Sequence, residues 1–318
     1  MIDAVVTWVD GHDPEHIRKR NEYLESDADY SYTDQAADDS RFSETGELWF
    51  CIHLIRKNAS WIDTIYLVTD NQCPDWLTDD VKKRLKVQII DHREIFKQYS
   101  YCLPTFNSNS IENVLFNIPG VSNQVVYFND DMFLLRKMAP EDFFYFNRPI
   151  IRARRDFKNL RAYKIVNRLR LWERRAYTGR KGGLSRLASR FFFLNLAHTP
   201  HALDLDEMRK IVGSDEFLKQ NVVYRFRAKK QIAPISYALN VMACRYRCRT
   251  INSDWEYMSP VDWSPNRTAK TIRKLYARKE IKMLCVQSLN EFDHDSQAQI
   301  KAMLTVFLDH DSARSVAW

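Results

Sequence analysis

Four short apolar runs in the first half of the chain share one design. Ile2–Val9, Thr64–Thr69, Val87–Ile90 and Val125–Phe128 are rich in β-branched and aromatic residues. They end on Asp10, Asp70, Asp91-His92 and Asn129-Asp130-Asp131 respectively. Runs of this length without a polar face read as strands buried on both sides, as in a largely parallel sheet. Between them, Glu47–Lys57 sets Leu48, Cys51, Ile52 and Ile55 at helical spacing, and Asp79–Leu85 and Ser108–Asn117 follow a similar rhythm. Strands alternating with helices predict a Rossmann-like (doubly wound) α/β core with right-handed crossovers. Ligands collect at the carboxyl ends of the strands in such sheets. One acid there is an ordinary helix cap, but four on one rim point to a cation or phosphate site.

Beyond residue 146 the pattern loosens. The chain divides into an α/β half at 1–146, a basic and mainly helical insertion at 147–190, and a second half at 191–318 that completes the core. Ala197–Pro200 reads as a loop, and Asp204–Val212 and Ala233–Met242 as helices. Asn252–Pro265 reads as a loop, and Arg267–Leu284 as a basic amphipathic helix near the C-terminus.

Composition narrows the function classes. With 318 residues, 45% hydrophobic and 28% charged, the chain has material for a sizeable core and no bias toward disorder. Only 7 residues are glycine, which argues against a Gly-rich phosphate loop. No stretch approaches the ~20 apolar residues of a membrane-spanning helix. Met1-Ile2-Asp3 runs straight into Ala4-Val5-Val6, so a cytoplasmic protein is expected. The six cysteines are expected as buried thiols rather than bridges or zinc ligands. The net charge of +7 hides an asymmetry, since Arg148–Arg190 holds fifteen Lys/Arg against Asp156 and Glu173. Such a block points to a polyanion: nucleic acid, anionic lipid or an acidic polymer. Nucleic acid fits least well, because few aromatics, Tyr163, Trp172 and Tyr177 among them, are interleaved as stacking platforms and the acidic rim would serve no purpose.

Two segments carry chemistry. Val125–Phe128 delivers Asn129, Asp130 and Asp131, and an acid pair at a strand end suits a hard cation, Mg²⁺ or Mn²⁺, held against a diphosphate. The same pair also serves as a helix cap. Leu103–Glu112 crowds polar residues at a helix start, with Ser108 as N-cap and Glu112 in the first turns. Free N–H groups there either attract a phosphate or simply cap the helix.

These residues resemble a known family. Ile2–Gly11 is similar to the first signature region of the Stealth proteins. Gly46-Glu47-Leu48, Trp61-Ile62, Ile65–Asp70, Leu103–Glu112, Ile118-Pro119-Gly120 and Tyr127–Asp131 are similar to the second. Ala197–His201 resembles the histidine element of the third region, and Tyr224–Arg227 its arginine element. Cys248–Asp254 is similar to the fourth, with Ser253 intervening where the family shows Asn-Asp together.

The resemblance implies transfer of a hexose-1-phosphate, expected as HexNAc-1-phosphate, from a UDP-sugar to a glycan hydroxyl. UMP would leave and a phosphodiester-linked capsular polymer would form. Asp130 and Asp254 are then the expected metal ligands, with Asp131 or His198 as general base and Arg227 on the transferring phosphate. Trp8 and Asp10 would meet the uridine, and Asn107, Ser108, Glu112 and Asn129 the rest of the donor. The partners implied are an anionic oligo- or polysaccharide acceptor and a peripheral contact with the inner face of the membrane or the capsule machinery. The alternative is a metal-dependent glycosyltransferase, which breaks the bond at the sugar carbon and releases UDP.

Overall fold

The computed structural model describes residues 1–26, 45–155, 194–246, 248–261 and 263–309. Strands β1 (Ile2–Thr7), β2 (Ile65–Thr69), β3 (Val87–Asp91) and β4 (Gln124–Asn129) pair in parallel in the order β3-β2-β1-β4. All four predicted strands are present. The chain continues through β5 (Met132–Leu134), β6 (Phe144–Tyr145), β7 (Arg148–Pro149), β8 (Ile151–Arg155) and β9 (Leu194–Leu196). It then reaches β10 (His201–Asp204), which covers the free edge of β4 as an antiparallel strand.

Alternation along these strands makes two apolar layers. Ala4, Val6, Ile65, Leu67, Val126 and Phe128 face the helix Glu47–Asn58, whose Leu48, Cys51, Ile52 and Ile55 are buried as the spacing predicts. Val5, Tyr66, Val68, Val125 and Tyr127 face the other way, toward Ile111, Leu115, Met208 and Leu239. Both faces are therefore covered, and the result is an α/β architecture around a largely parallel sheet.

The second half departs from expectation. The stretch expected as a loop, 252–265, contains β12 (Trp255–Met258), after the short β11 (Thr250–Ile251). The expected helix Arg267–Leu284 is a helix only over Pro265–Ala277, followed by β13 (Met283–Val286). The apolar rhythm of Ile272, Leu275 and Tyr276 is next met at Ile281, a gap of five that no single helical face bridges. β13 pairs parallel with β12 and antiparallel with β5. The last described helix, His294–Asp309, packs on Glu47–Asn58 and is not basic in its final turn. The expected helix 108–117 is a single α-turn, Ser108–Glu112, and a 3₁₀ turn, Leu115–Asn117. Its N-cap is Asn107 rather than Ser108.

Of the basic segment 147–190, the described part forms β7 and β8 rather than helix, and the remainder lies outside the described residues. All six cysteines are free; Cys51, Cys102 and Cys285 are buried, whereas Cys73 is exposed. No helix among the described residues is long and apolar enough to cross a membrane.

One basic residue of the block is not at the surface. Arg152 is 1% exposed, makes a two-pronged ion pair with Asp254 (2.8 and 3.1 Å) and donates to the Asp142 carbonyl oxygen at 2.8 Å. This pair ties β8 to the approach of β12. Removing one partner strands the other charge. Arg152→Leu should therefore lower unfolding stability by about 3 kcal/mol in urea titrations. An unchanged midpoint would contradict this reading of the pair.

Candidate active site

The strand order reverses between β1 and β4, and a crevice opens beyond their carboxyl ends at such a switch point. A cavity of ≈ 220 Å³ lies there. Thr7, Trp8 and Val9 enter it from the end of β1, and Asn129, Asp130 and Asp131 from the end of β4. Glu47 comes from the first turn of the helix Glu47–Asn58. The loop 105–108 closes another side, and His198 arrives just ahead of β10. Arg227, Gln287 and Ser288 come from the second half.

The acid turn is pinned by β13. The Val286 N–H donates to the Asp131 carbonyl oxygen at 3.0 Å, and the Cys285 thiol reaches its Oδ2 at 3.5 Å. Oδ1 of Asp131 is buried with no hydrogen-bond partner. Burial pushes this carboxyl up to about 6, and the nearby Glu47 charge adds to the rise. Burial likewise lowers the His198 imidazole, helped by the Arg227 charge, so its neutral form predominates at neutral pH. The His198 ring stacks on Tyr257, with centroids 4.9 Å apart.

Arg227 reaches the cavity from the irregular segment between the helices Asp215–Asn221 and Pro234–Tyr246. Its Nη2 donates to Ser108 Oγ at 2.7 Å. Asn107 is buried, and its Nδ2 faces the carbonyl oxygens of Tyr224 and Phe226, both at 2.9 Å. A helix of one turn has little dipole to offer a phosphate; the guanidinium resting on its first residue supplies the charge instead.

Behind the wall, Tyr127 Oη lies 2.8 Å from Asn129 Oδ1, 2.9 Å from Thr7 Oγ1 and 3.2 Å from Glu112 Oε1. Glu112 does not line the cavity. Its carboxyl is buried, which pushes it up to about 7 despite the opposing pull of Arg227 and the Tyr127 bond.

Asp130, Asp131, His198, Arg227, Trp8, Asn107, Ser108 and Asn129 thus meet around one cavity. Three expected residues lie elsewhere, Glu112 behind the wall and two others farther off. Asp10 turns back to accept from the His12 N–H at 2.8 Å and is half-exposed. Asp254 is held by Arg152. Sequence reasoning missed Glu47, His16, Gln287 and Ser288. Only Glu47 had a visible signal, as an acid in the first turn of a predicted helix.

Three carboxylates, Glu47, Asp130 and Asp131, face the cavity against Arg227, the one Lys/Arg lining it among the described residues. Burial also lowers His16. A diphosphate entering here would meet these carboxylates, and the unpartnered Asp131 Oδ1 offers a hard oxygen. The donor set therefore fits a divalent cation. Among the described residues no three His, Cys, Asp or Glu side chains form a ready cage.

Comparison with known proteins follows the same residues. Stealth protein CR2, conserved region 2, matches residues 41–150, and Stealth protein CR1, conserved region 1, matches residues 2–28. An exopolysaccharide phosphotransferase of Streptomyces coelicolor is 31% identical over 321 residues, covering 97% of this chain and 50% of its own. An exopolysaccharide phosphotransferase of Lactiplantibacillus plantarum is 45% identical over 143 residues, covering 45% of this chain and 39% of its own. The chain thus spans half or less of the length of these relatives. Among solved structures, galactosyltransferase LgtC with donor and acceptor sugar analogs is 10% identical, covers 99% of this chain and 97% of its own, and gives a TM-score of 0.45. That likeness is too loose to argue from; the fold assignment rests on the sheet itself.

Glu112 gives this site a measurable pH signature. Its carboxyl holds the proton more tightly folded, at about 7, than at the ordinary 4.5, so its stabilising effect is complete below pH 4.5 and is lost as pH rises through 7. Glu112→Gln mimics the protonated form and removes the dependence. Relative to the parent protein, its unfolding stability should gain about 2–3 kcal/mol between pH 5 and pH 8. Urea titrations at the two pH values check this, and an unchanged difference would refute it.

Proposed function

The chain belongs to the Stealth family through its conserved regions 1 and 2, and on that premise we propose that it is a sugar-1-phosphate transferase. It takes a hexose-1-phosphate, HexNAc-1-phosphate in our reading, from a UDP-sugar and joins it to a glycan hydroxyl as a phosphodiester. One observation carries the reading. Asp130, Asp131, His198 and Arg227 come from three separate segments and line one cavity at the switch point, together with Trp8 at the end of β1.

The reaction divides its work among these side chains. The acceptor hydroxyl oxygen attacks the phosphorus nearest the sugar, and the bond from that phosphorus to the oxygen bridging to UMP breaks. The sugar keeps its own bond to oxygen. His198 is held toward its neutral form by burial and by Arg227, so its free nitrogen takes the hydroxyl proton. Arg227, steadied by Ser108, offers a planar fork to the phosphoryl oxygens. Trp8, 7% exposed with an unpartnered indole N–H, supplies a flat neutral wall for the uracil. A divalent cation held by Asp130 and Asp131 would neutralise charge on the departing UMP. The acceptor in this reading is an anionic oligo- or polysaccharide, to which the excess positive charge of the segment 148–190 is suited.

Asp130→Asn should abolish turnover without shifting the melting temperature, and excess chelator should do the same to the parent protein. Full turnover in chelator would remove the metal from the account. His198→Ala and Arg227→Ala should each lower kcat by about 10²–10⁴-fold, with UDP-sugar Kd within a few-fold of the parent value by calorimetry. Equal losses in kcat and donor affinity would recast both residues as donor-binding groups.

A further inference from the structure

Arg227 is carried by a segment that has no regular structure of its own. Residues 222–233 join two helices without a strand or helical turn among them, yet they must aim a long side chain at one spot. Its backbone ties are few: the Phe106 N–H donates to the Arg225 carbonyl oxygen at 2.8 Å, and Ala228 makes an isolated bridge. The rest of the fastening is a buried set of amides and one hydroxyl.

Gln231 sits at the centre. Its Nε2 donates to the Asn221 carbonyl oxygen at 2.8 Å and to Ser110 Oγ at 3.0 Å, and its Oε1 accepts from Asn107 Nδ2 at 2.8 Å. The Ser110 hydroxyl donates onward to the Tyr224 carbonyl oxygen at 2.8 Å. Asn107 shares its two amide hydrogens among Tyr224, Phe226 and Gln231. The Ile232 N–H closes the far end on Asn221 Oδ1 at 3.0 Å. Gln231, Asn107, Ser110 and Asn221 are all buried. Every polar atom of the Gln231 amide is satisfied, and its bonds reach the end of the helix Asp215–Asn221 on one side and, on the other, Asn107 and Ser110 at the start of the single-turn helix on which Arg227 rests.

A satisfied buried polar network fixes one arrangement, because each broken bond leaves a group unpaired away from water. Here the fixed object is a loop with Arg227 between its two anchor points, Tyr224–Phe226 on one side and Gln231 on the other. The same bonds orient Ser108, the Arg227 partner, through its neighbours Asn107 and Ser110. We propose that Gln231 is a positioning residue for Arg227: it latches the 222–232 loop to the helix Ser108–Glu112, so that the guanidinium is already aimed when the phosphoryl group arrives. This rests on the phosphoryl role given to Arg227 above. The gain is of the kind that pre-orientation provides, since a misplacement of about 1 Å costs about a hundredfold in rate.

Gln231→Met keeps the length and volume of the side chain and removes all its hydrogen bonds. Ser110→Ala, which breaks fewer bonds, serves as a second variant where the first folds poorly. Amide hydrogen exchange across 222–232 should rise in both variants, while exchange in β1 and β4 stays at the parent level. The kcat of Gln231→Met should fall about tenfold with UDP-sugar Kd retained. Combining it with Arg227→Ala should bring no loss beyond that of Arg227→Ala alone, since a residue acting through Arg227 has nothing left to position. Unchanged exchange in the loop overturns the latch. A kcat loss that adds in full to that of Arg227→Ala assigns Gln231 a purely structural role and also overturns it. A parent protein with no sugar-phosphate transfer counts against the phosphotransferase reading instead, and loop exchange alone then decides the latch.

Discussion

Six residue pairs join β1 to β4 in parallel, from Ile2 opposite Gln124 to Thr7 opposite Asn129, and the site depends on that register. Both strands are buried on both faces, so a slip of one residue would send every side chain to the opposite layer. The register is read by polar atoms as well. Thr7, Tyr127 and Asn129 meet in one hydrogen-bonded group at the upper end of the pair. Just past that group the two strands release Trp8 and the Asp130-Asp131 turn into the same crevice.

The second half of the chain completes what the sheet begins. β13 grips the acid turn through the Asp131 carbonyl and carboxylate, and the residues after it, Gln287 and Ser288, close the cavity. β10 brings His198 to the rim as it covers the edge of β4. Electrostatics then divides the wall. Glu47, Asp130 and Asp131 carry negative potential into a confined space, Arg227 alone opposes them among the described lining residues, and the histidines are kept toward neutrality by burial. In the proposed reading a phosphate-bearing ligand enters this cavity together with a cation.

The first half was legible because each element states itself locally. Short β-branched and aromatic runs that end on acids read as strands, and the four-residue spacing of Leu48, Ile52 and Cys51, Ile55 reads as a helix face. Asp130 and Asp131 followed from the same logic, whereas Glu47 did not. The second half was not legible for a definite reason. Met283-Leu284-Cys285-Val286 follows closely on an amphipathic helix, and its strand character comes from pairing with β12 and with β5, the latter far away in sequence. Asp254 shows the limit of motif transfer. Its position suits a ligand, but a buried Arg152 from β8, invisible to spacing arguments, claims both carboxylate oxygens. Ser108 was misread as the cap by one residue, because Asn107 caps the turn and binds the Arg227 loop with the same side chain.

The central claim is that bond cleavage occurs at phosphorus rather than at the sugar carbon. The most direct test is the identity of the nucleotide released when the protein is incubated with a UDP-HexNAc, magnesium and an oligosaccharide primer. The account predicts UMP in equal amount to the sugar incorporated, with the primer gaining the mass of a HexNAc-phosphate. Release of UDP with a primer gaining only the HexNAc would contradict it.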